Sequence, residues 1–231
     1  MMNCVRENSE SASAAEPAPV NYATTIDTMG NLLVFHPVYR HVDLVCGTMP
    51  SVGDSSVIYC AEAAFTGKLL KEFRHSNIMG PHISGGVLHE GYPYDANYGL
   101  FAATDSMWQF SVLPDDSLLH AVEQQSGMAF VQYWVIHDGS VYEPMLQKPD
   151  RKHIYRVIAD MAGELVLIES QDSVAYSEFL TCLDSLHLRN ALYMDMGPGW
   201  NYSFCRDAND SLIILHPHTH NYTTNWITFY K

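Results

Sequence analysis

The sequence predicts an α+β fold: a single domain, mostly mixed β-sheet, with a few helices packed against it. Three observations lead there. Val, Ile, Phe and Tyr come in short runs punctuated by Gly, Pro, Asn and Asp, the pattern of strands and turns. Only 173–187 carries a clear helical period. The 231 residues, 47% hydrophobic, suffice for one full core but not for two enzyme domains with a linker.

The elements follow in chain order. Residues 1–20 are expected to be a flexible tether and 21–231 the domain, because Val5–Val20 is rich in Ser, Ala, Glu and Pro and has no hydrophobic period. Leu32–His36, Val42–Cys46 and Val57–Phe65 are predicted strands, and Lys68–Arg74 a short second helix. Residues 76–99 hold many Gly, Pro, His and Tyr, so they are expected to form one or two long functional loops. Trp108–Leu113 is again strand-like. Phe130–His137 alternates up to Asp138-Gly139, a hairpin turn leading into Ser140–Met145. Tyr155–Met161 and Leu165–Glu169 flank a second such turn, Ala162-Gly163. In Ser173–His187 the residues Val174, Phe179, Leu180, Leu183 and Leu186 share one face. Phe179 and Leu183 should meet the sheet, with Glu178 and Asp184 outward or at a pocket rim. Asp172 or Ser173 can cap the start of this helix. Ala191–Met194 and Leu212–Leu215 are buried-type runs, and Asn225–Tyr230 closes the chain as a strand.

Composition narrows the function. Twelve Lys and Arg against 26 Asp and Glu give a formal charge of −14, a field that repels phosphate backbones, so no nucleic-acid partner is expected. No apolar stretch approaches the roughly 20 residues of a membrane span; the best, Ala129–Ile136, is broken by Gln132. Cys46, Cys60, Cys182 and Cys205 have no paired spacing and suit small core positions. Cys4 heads the tether, as at the mature end of a bacterial lipoprotein, although Met1-Met2-Asn3 offers neither a basic nor an apolar signal region. A lipid on Cys4 would then be the chain's one membrane contact. The expected location is the periplasm or cell surface, with the cytoplasm as the alternative.

Several polar groups stand in apolar surroundings. The run into Asp195 meets Gly197-Pro198-Gly199, which thrusts a carboxylate out at a strand end; the plain alternative is a tight turn whose Asp bonds its own backbone. Glu62, inside Val57–Phe65, must be strand-terminal, paired or proton-holding, unless it faces solvent. Arg156, if inward, wants a carboxylate or a phosphate, which its planar fork can grip with two hydrogen bonds. His216-Pro217-His218-Thr219-His220 suggests metal ligands but lacks a nearby carboxylate or Cys, and Pro217 favours a solvated turn. His75, His82 and His89 could line a pocket. No GxSxG, GxxxxGK[ST], HExxH or GxGxxG occurs, and neither a cofactor nor a metal is expected.

From Ala129 to Asn201 these features, in this order, resemble the phosphodiester glycosidase family, whose enzymes include one that removes N-acetylglucosamine from a phosphodiester. The resemblance rests on Asp138-Gly139 after a strand, a strand opened by Arg156, a glycine hairpin, a helix carrying Glu178-Phe179, and a strand ending in Asp195 before glycines. Asn225-Trp226-Ile227-Thr228-Phe229-Tyr230 is similar to the family's last strand. The chain departs from the pattern at three places. Glu62-Ala63-Ala64-Phe65 replaces Asn-Gly-Gly-Phe, Arg156-Val157 replaces Arg-Thr, and Asp195-Met196-Gly197-Pro198-Gly199 replaces Asp-Gly-Gly-Gly-Ser. The resemblance implies a divergent bacterial-type hydrolase of a glycosyl phosphodiester or related sugar–phosphate linkage. Glu62, Asp195 and Arg156 would be catalytic; Gly197, Gly199, Trp200, Asn201 and His89 would bind a sugar-phosphate or glycan ligand. The alternative is a non-catalytic glycan- or cell-envelope-binding protein on the same fold.

Overall fold

The computed structural model describes residues 20–94, 97–142, 152–196, 202–217 and 222–231. In chain order the elements are β1 (Ala23–Met29), β2 (Leu32–Val38), β3 (His41–Cys46), β4 (Val57–Glu62), a 3-10 turn at His75–Asn77, β5 (His82–Ser84), β6 (Val87–His89), β7 (Tyr98–Ala103) and β8 (Trp108–Val112). They continue with α1 (Asp116–Gln124), β9 (Met128–His137), β10 (Ser140–Val141), β11 (Arg156–Met161), β12 (Glu164–Ser170), α2 (Tyr176–Asp184), β13 (Asn190–Tyr193), β14 (Ser203–Arg206), β15 (Leu212–His216) and β16 (Asn225–Tyr230). Among the described residues the fold is mostly β with two α-helices. The sheets are not mixed: each pairing between these strands is antiparallel, as suits a chain linked largely by hairpins.

The strands form two sheets. The larger runs β1-β2-β12-β11-β13-β9-β5-β6, with β10, β7 and β8 joined through β9 and β7; the smaller runs β15-β14-β4-β16-β3. Alternation along each strand sends one set of side chains into the space between them. Phe35, Phe130, Ile158, Leu167 and Leu192 of the large sheet thus share a core with Leu44, Tyr59, Ala61, Ile227 and Phe229 of the small one. The opposite set, Val34, Val157, Ala159, Val166 and Ile168, packs with Phe179 and Leu183 of α2. Leu119 and Val122 of α1 cover Leu100, Ala102, Ala129 and Val131 in the same way.

Both predicted hairpin turns form. Asp138 and Gly139, and Ala162 and Gly163, all have positive φ, the backbone a two-residue turn between twisted strands requires. Phe179 and Leu183 are fully buried, and Glu178 and Asp184 are exposed. The helix is shorter than its period suggested because Val174 exchanges two backbone hydrogen bonds with His153, at 3.0 and 2.9 Å. That extended bridge delays the start to Tyr176, so the residue before the helix is Ala175, which makes no side-chain cap; Asp172 and Ser173 lie too far upstream. Lys68–Arg74 is not a helix either. Leu70 bridges to Thr223 and Thr66 to Ile78, and these long-range bonds override local propensity. Residues 76–94 are not simply loop: β5 and β6 form a hairpin on Gly85-Gly86, both at positive φ. The helix α1 was not anticipated, although Asp115 caps it by accepting the Leu118 amide at 3.0 Å.

Candidate active site

Six polar side chains gather at one end of the two sheets. Glu62 is the last residue of β4, Arg156 the first of β11, Ser203 the first of β14 and His216 the last of β15; Glu169 is next to last in β12, and Asp195 follows β13 by two residues. Backbone bonds set the meeting point. The Met194 amide donates to the Arg156 carbonyl and the Asp195 amide to the Ala63 carbonyl, both at 2.9 Å, the second joining one sheet to the other. Asn225 clasps Ala64 through its side chain, accepting from the amide and donating to the carbonyl, each at 2.8 Å.

Arg156 is wholly buried. Its Nε and Nη2 both reach Glu169 Oε2, at 2.8 and 2.5 Å, and Nη2 also donates to Ser203 Oγ at 2.7 Å. Glu169 Oε1 meets His216 Nε2 at 2.6 Å. Burial opposes ionisation of Glu169, but the Arg156 charge and then His216 prevail and hold its carboxyl below the usual range. Two of the three nitrogens of the fork expected to grip a phosphate, Nε and Nη2, are therefore directed at Glu169 and Ser203.

Glu62 behaves in the opposite way. Burial first and then the Asp195 charge push its carboxyl up to about 10, against the pull of Arg156 and the Tyr202 backbone amide. Glu62 therefore holds its proton at neutral pH. Its Oε2 is buried without a hydrogen-bond partner among the described residues, as are Arg156 Nη1 and the Tyr59 hydroxyl. Glu62, Arg156 and Asp195 thus share one electrostatic neighbourhood. Gly197, Gly199, Trp200 and Asn201 lie outside the described residues, as do His218 and His220. Chemically, the arrangement offers a proton donor, a neighbouring carboxylate and a buried positive charge.

Residues not singled out from the sequence complete it: Glu169, Ser203, Tyr59 and Tyr202. Glu169 carried a usable signal, an acid ending an apolar run opposite Arg156. Ser203 and Tyr202 carried none, since β14 meets β4 only through sheet order.

His89 lies in a different group. Its ring stacks on His75, with centroids 3.4 Å apart and planes 7° from parallel. His75 Nδ1 lies 3.0 Å from His82 Nε2, and His82 Nδ1 donates to the Gly80 carbonyl at 3.1 Å. Phe73 packs edge-on against His75, and Glu123 is the acid whose charge reaches His89. Burial first, then the charges of His75 and His89, draw His82 down to about 4, against the Gly80 bond. The unfolded chain therefore binds a proton here that the native state refuses, and stability is lost as pH falls from about 6.5 through about 4. That loss should be roughly 3 kcal/mol, read from urea unfolding across the window, with His82 titrating near 4 by proton NMR. Titration of His82 above pH 6 would contradict the stack.

No protein-family model matches the sequence, and no curated protein matches it. Solved structures do, and the likeness supports a phosphodiester glycosidase-like fold. One of them is the zebrafish N-acetylglucosamine-1-phosphodiester alpha-N-acetylglucosaminidase catalytic domain, auto-inhibited by its pro-peptide. The alignment has a TM-score of 0.60 and 14% identity, and covers 96% of this chain and 87% of that one. A hypothetical protein from Synechocystis matches with a TM-score of 0.50 and 12% identity, over 89% of this chain and 61% of that one. Likeness at these identities is likeness of fold.

Proposed function

We propose that the protein hydrolyses a glycosyl phosphodiester or a related sugar–phosphate bond. The observation that supports this most is the proton held by Glu62 beside Asp195, since two carboxyls in contrasting environments divide acid and base roles. The bond broken is that between the anomeric carbon and the phosphate oxygen. Glu62 gives its proton to the departing oxygen, and water adds to the anomeric carbon, its proton passing to Asp195. The products are the free sugar and a phosphomonoester. Arg156 favours the ionised form of Glu62, so it stabilises the carboxylate that proton donation creates. The fold neighbour acts on an N-acetylglucosamine phosphodiester, which makes that linkage the first substrate to try.

One observation favours a non-catalytic glycan-binding domain instead: Arg156 is fully buried and engaged with Glu169 and Ser203. The experiment is to incubate the purified protein with a panel of sugar-1-phosphodiesters, N-acetylglucosamine's included, and follow the free sugar. Release of sugar by the parent is expected. Measurable glycan binding with no release across the panel would defeat the hydrolase reading and leave the binding domain.

A further inference from the structure

In this strongly acidic chain, Lys68, Lys71 and Arg74 place three of the 12 basic residues within seven positions. All three side chains are exposed, and none makes an ion pair among the described residues. Glu72, the one acid in the segment, pairs with none of them. Lys68 and Arg74 line a cavity of about 450 Å³ with Ser76, Asn77 and Tyr92.

The cavity has a fixed frame. The Lys68 amide donates to Asn77 Oδ1 at 3.0 Å, and Asn77 Nδ2 returns a bond to the Lys68 carbonyl at 2.9 Å. The Gly67 amide donates to the Asn77 carbonyl, and the Asn77 amide to the Arg74 carbonyl, each at 2.9 Å. Tyr92 is tied by its amide to the Ile78 carbonyl at 2.8 Å. Its ring lies so close over Gly67 that an added Cβ would sit 3.3 Å from Cε1. The pocket therefore presents an aromatic wall, two cations with no ion pair among the described residues, and a hydroxyl and amide able to bond sugar oxygens. That is the recognition chemistry of a sugar bearing an oxyanion.

We propose that this pocket binds an anionic monosaccharide, its phosphate or carboxylate held by Lys68 and Arg74 and its ring lying against Tyr92. The cavity shares no lining residue with the Glu62–Asp195–Arg156 cluster, so the proposal stands whether or not the protein is a hydrolase. It has a physical basis of its own. Like-signed neighbours repel and cost stability, and Lys68 and Arg74 stand together around one concavity with no ion pair among the described residues.

The test is calorimetric titration at low salt with glucose 1-phosphate, glucuronate and neutral glucose. The proteins are the parent, the double variant Lys68→Ser with Arg74→Ser, and Glu62→Gln. The parent should bind at least one anionic sugar, and the preferred one identifies the oxyanion as phosphate or carboxylate. The double variant should bind it at least about tenfold more weakly, with the melting temperature unchanged because both side chains are exposed. Glucose should bind at least about tenfold more weakly than the anionic sugar. Equal affinity in the double variant, equal affinity for glucose, or no binding of either anion by the parent would each overturn the proposal. Loss of binding in Glu62→Gln with retention in the double variant would overturn it too, by placing the ligand at the acid pair.

Discussion

Glu62→Gln should give a folded protein, more stable than the parent, that hydrolyses a glycosyl phosphodiester about 10²- to 10⁴-fold more slowly. Both halves follow from one buried carboxyl. The glutamine keeps the shape and a polar end but has no proton to give, so the loss should appear in kcat, with KM little changed. The stability gain has a sign that can be worked out. The native carboxyl titrates near 10 and an unfolded one near 4.5. Between those values the native state binds more protons, so the parent loses stability as pH rises, by up to about 1.4 kcal/mol per pH unit. Glutamine does not titrate. The variant's advantage should therefore widen steadily from pH 5 to pH 8, measured by urea unfolding. Asp195→Asn is the companion, because it removes the charge that raises Glu62 and should move the pH profile of any remaining activity to lower pH. A structural carboxyl would give the stability pattern without the kinetic one. Unchanged turnover per folded molecule in Glu62→Gln would end its assignment as the proton donor.

How far the site could be read in advance depends on whether local or long-range bonds set each part. The Arg156–Glu169 contact was within reach of counting. A two-residue turn at Ala162-Gly163 pairs Met161 with Glu164, and five equal steps outward pair Arg156 with Glu169, as the register shows. Glu62 and Asp195 could each be nominated as carboxylates in apolar runs, but their meeting depends on the Asp195 amide reaching Ala63 across the sheets. Nothing in either local sequence records that bond. Ser203 and His216 enter for the same reason, through the position of β14 between β4 and β15. The errors in secondary structure have a common origin. Lys68–Arg74 and the first residues of 173–187 have local helical character, and in both places an isolated bridge to a residue distant in sequence wins. The strand β7 was overlooked because Gly99 and two alanines look weak, yet a Cβ at Gly99 would lie 2.3 Å from the Trp134 ring. The missing side chain of Gly99 is the space that Trp134 occupies.

The second large effect concerns stability alone. Glu169→Ala should cost about 3–5 kcal/mol, because it leaves a buried guanidinium with Ser203 as its remaining hydrogen-bond partner among the described residues. Arg156→Met should cost a comparable amount by stranding Glu169, which among the described residues would then keep only His216. Combining Arg156→Met with Glu169→Leu removes both charges, and the double variant should recover most of the loss, ending within about 2 kcal/mol of the parent. Recovery is expected because the attraction between buried charges mainly offsets their own desolvation, whereas a lone buried charge has nothing to offset it. The three variants and the parent form a double-mutant cycle, read by urea unfolding at pH 7, where Glu169 is ionised. Its coupling energy separates this pair from two unrelated core positions, whose costs would simply add. Additive losses would mean that Arg156 is held by something other than Glu169. Because the double variant keeps Glu62 and Asp195, the same preparation also asks whether the Arg156 charge assists proton donation. Turnover in that variant should be depressed even where stability has returned, since the carboxylate formed on Glu62 then lacks its nearby positive charge.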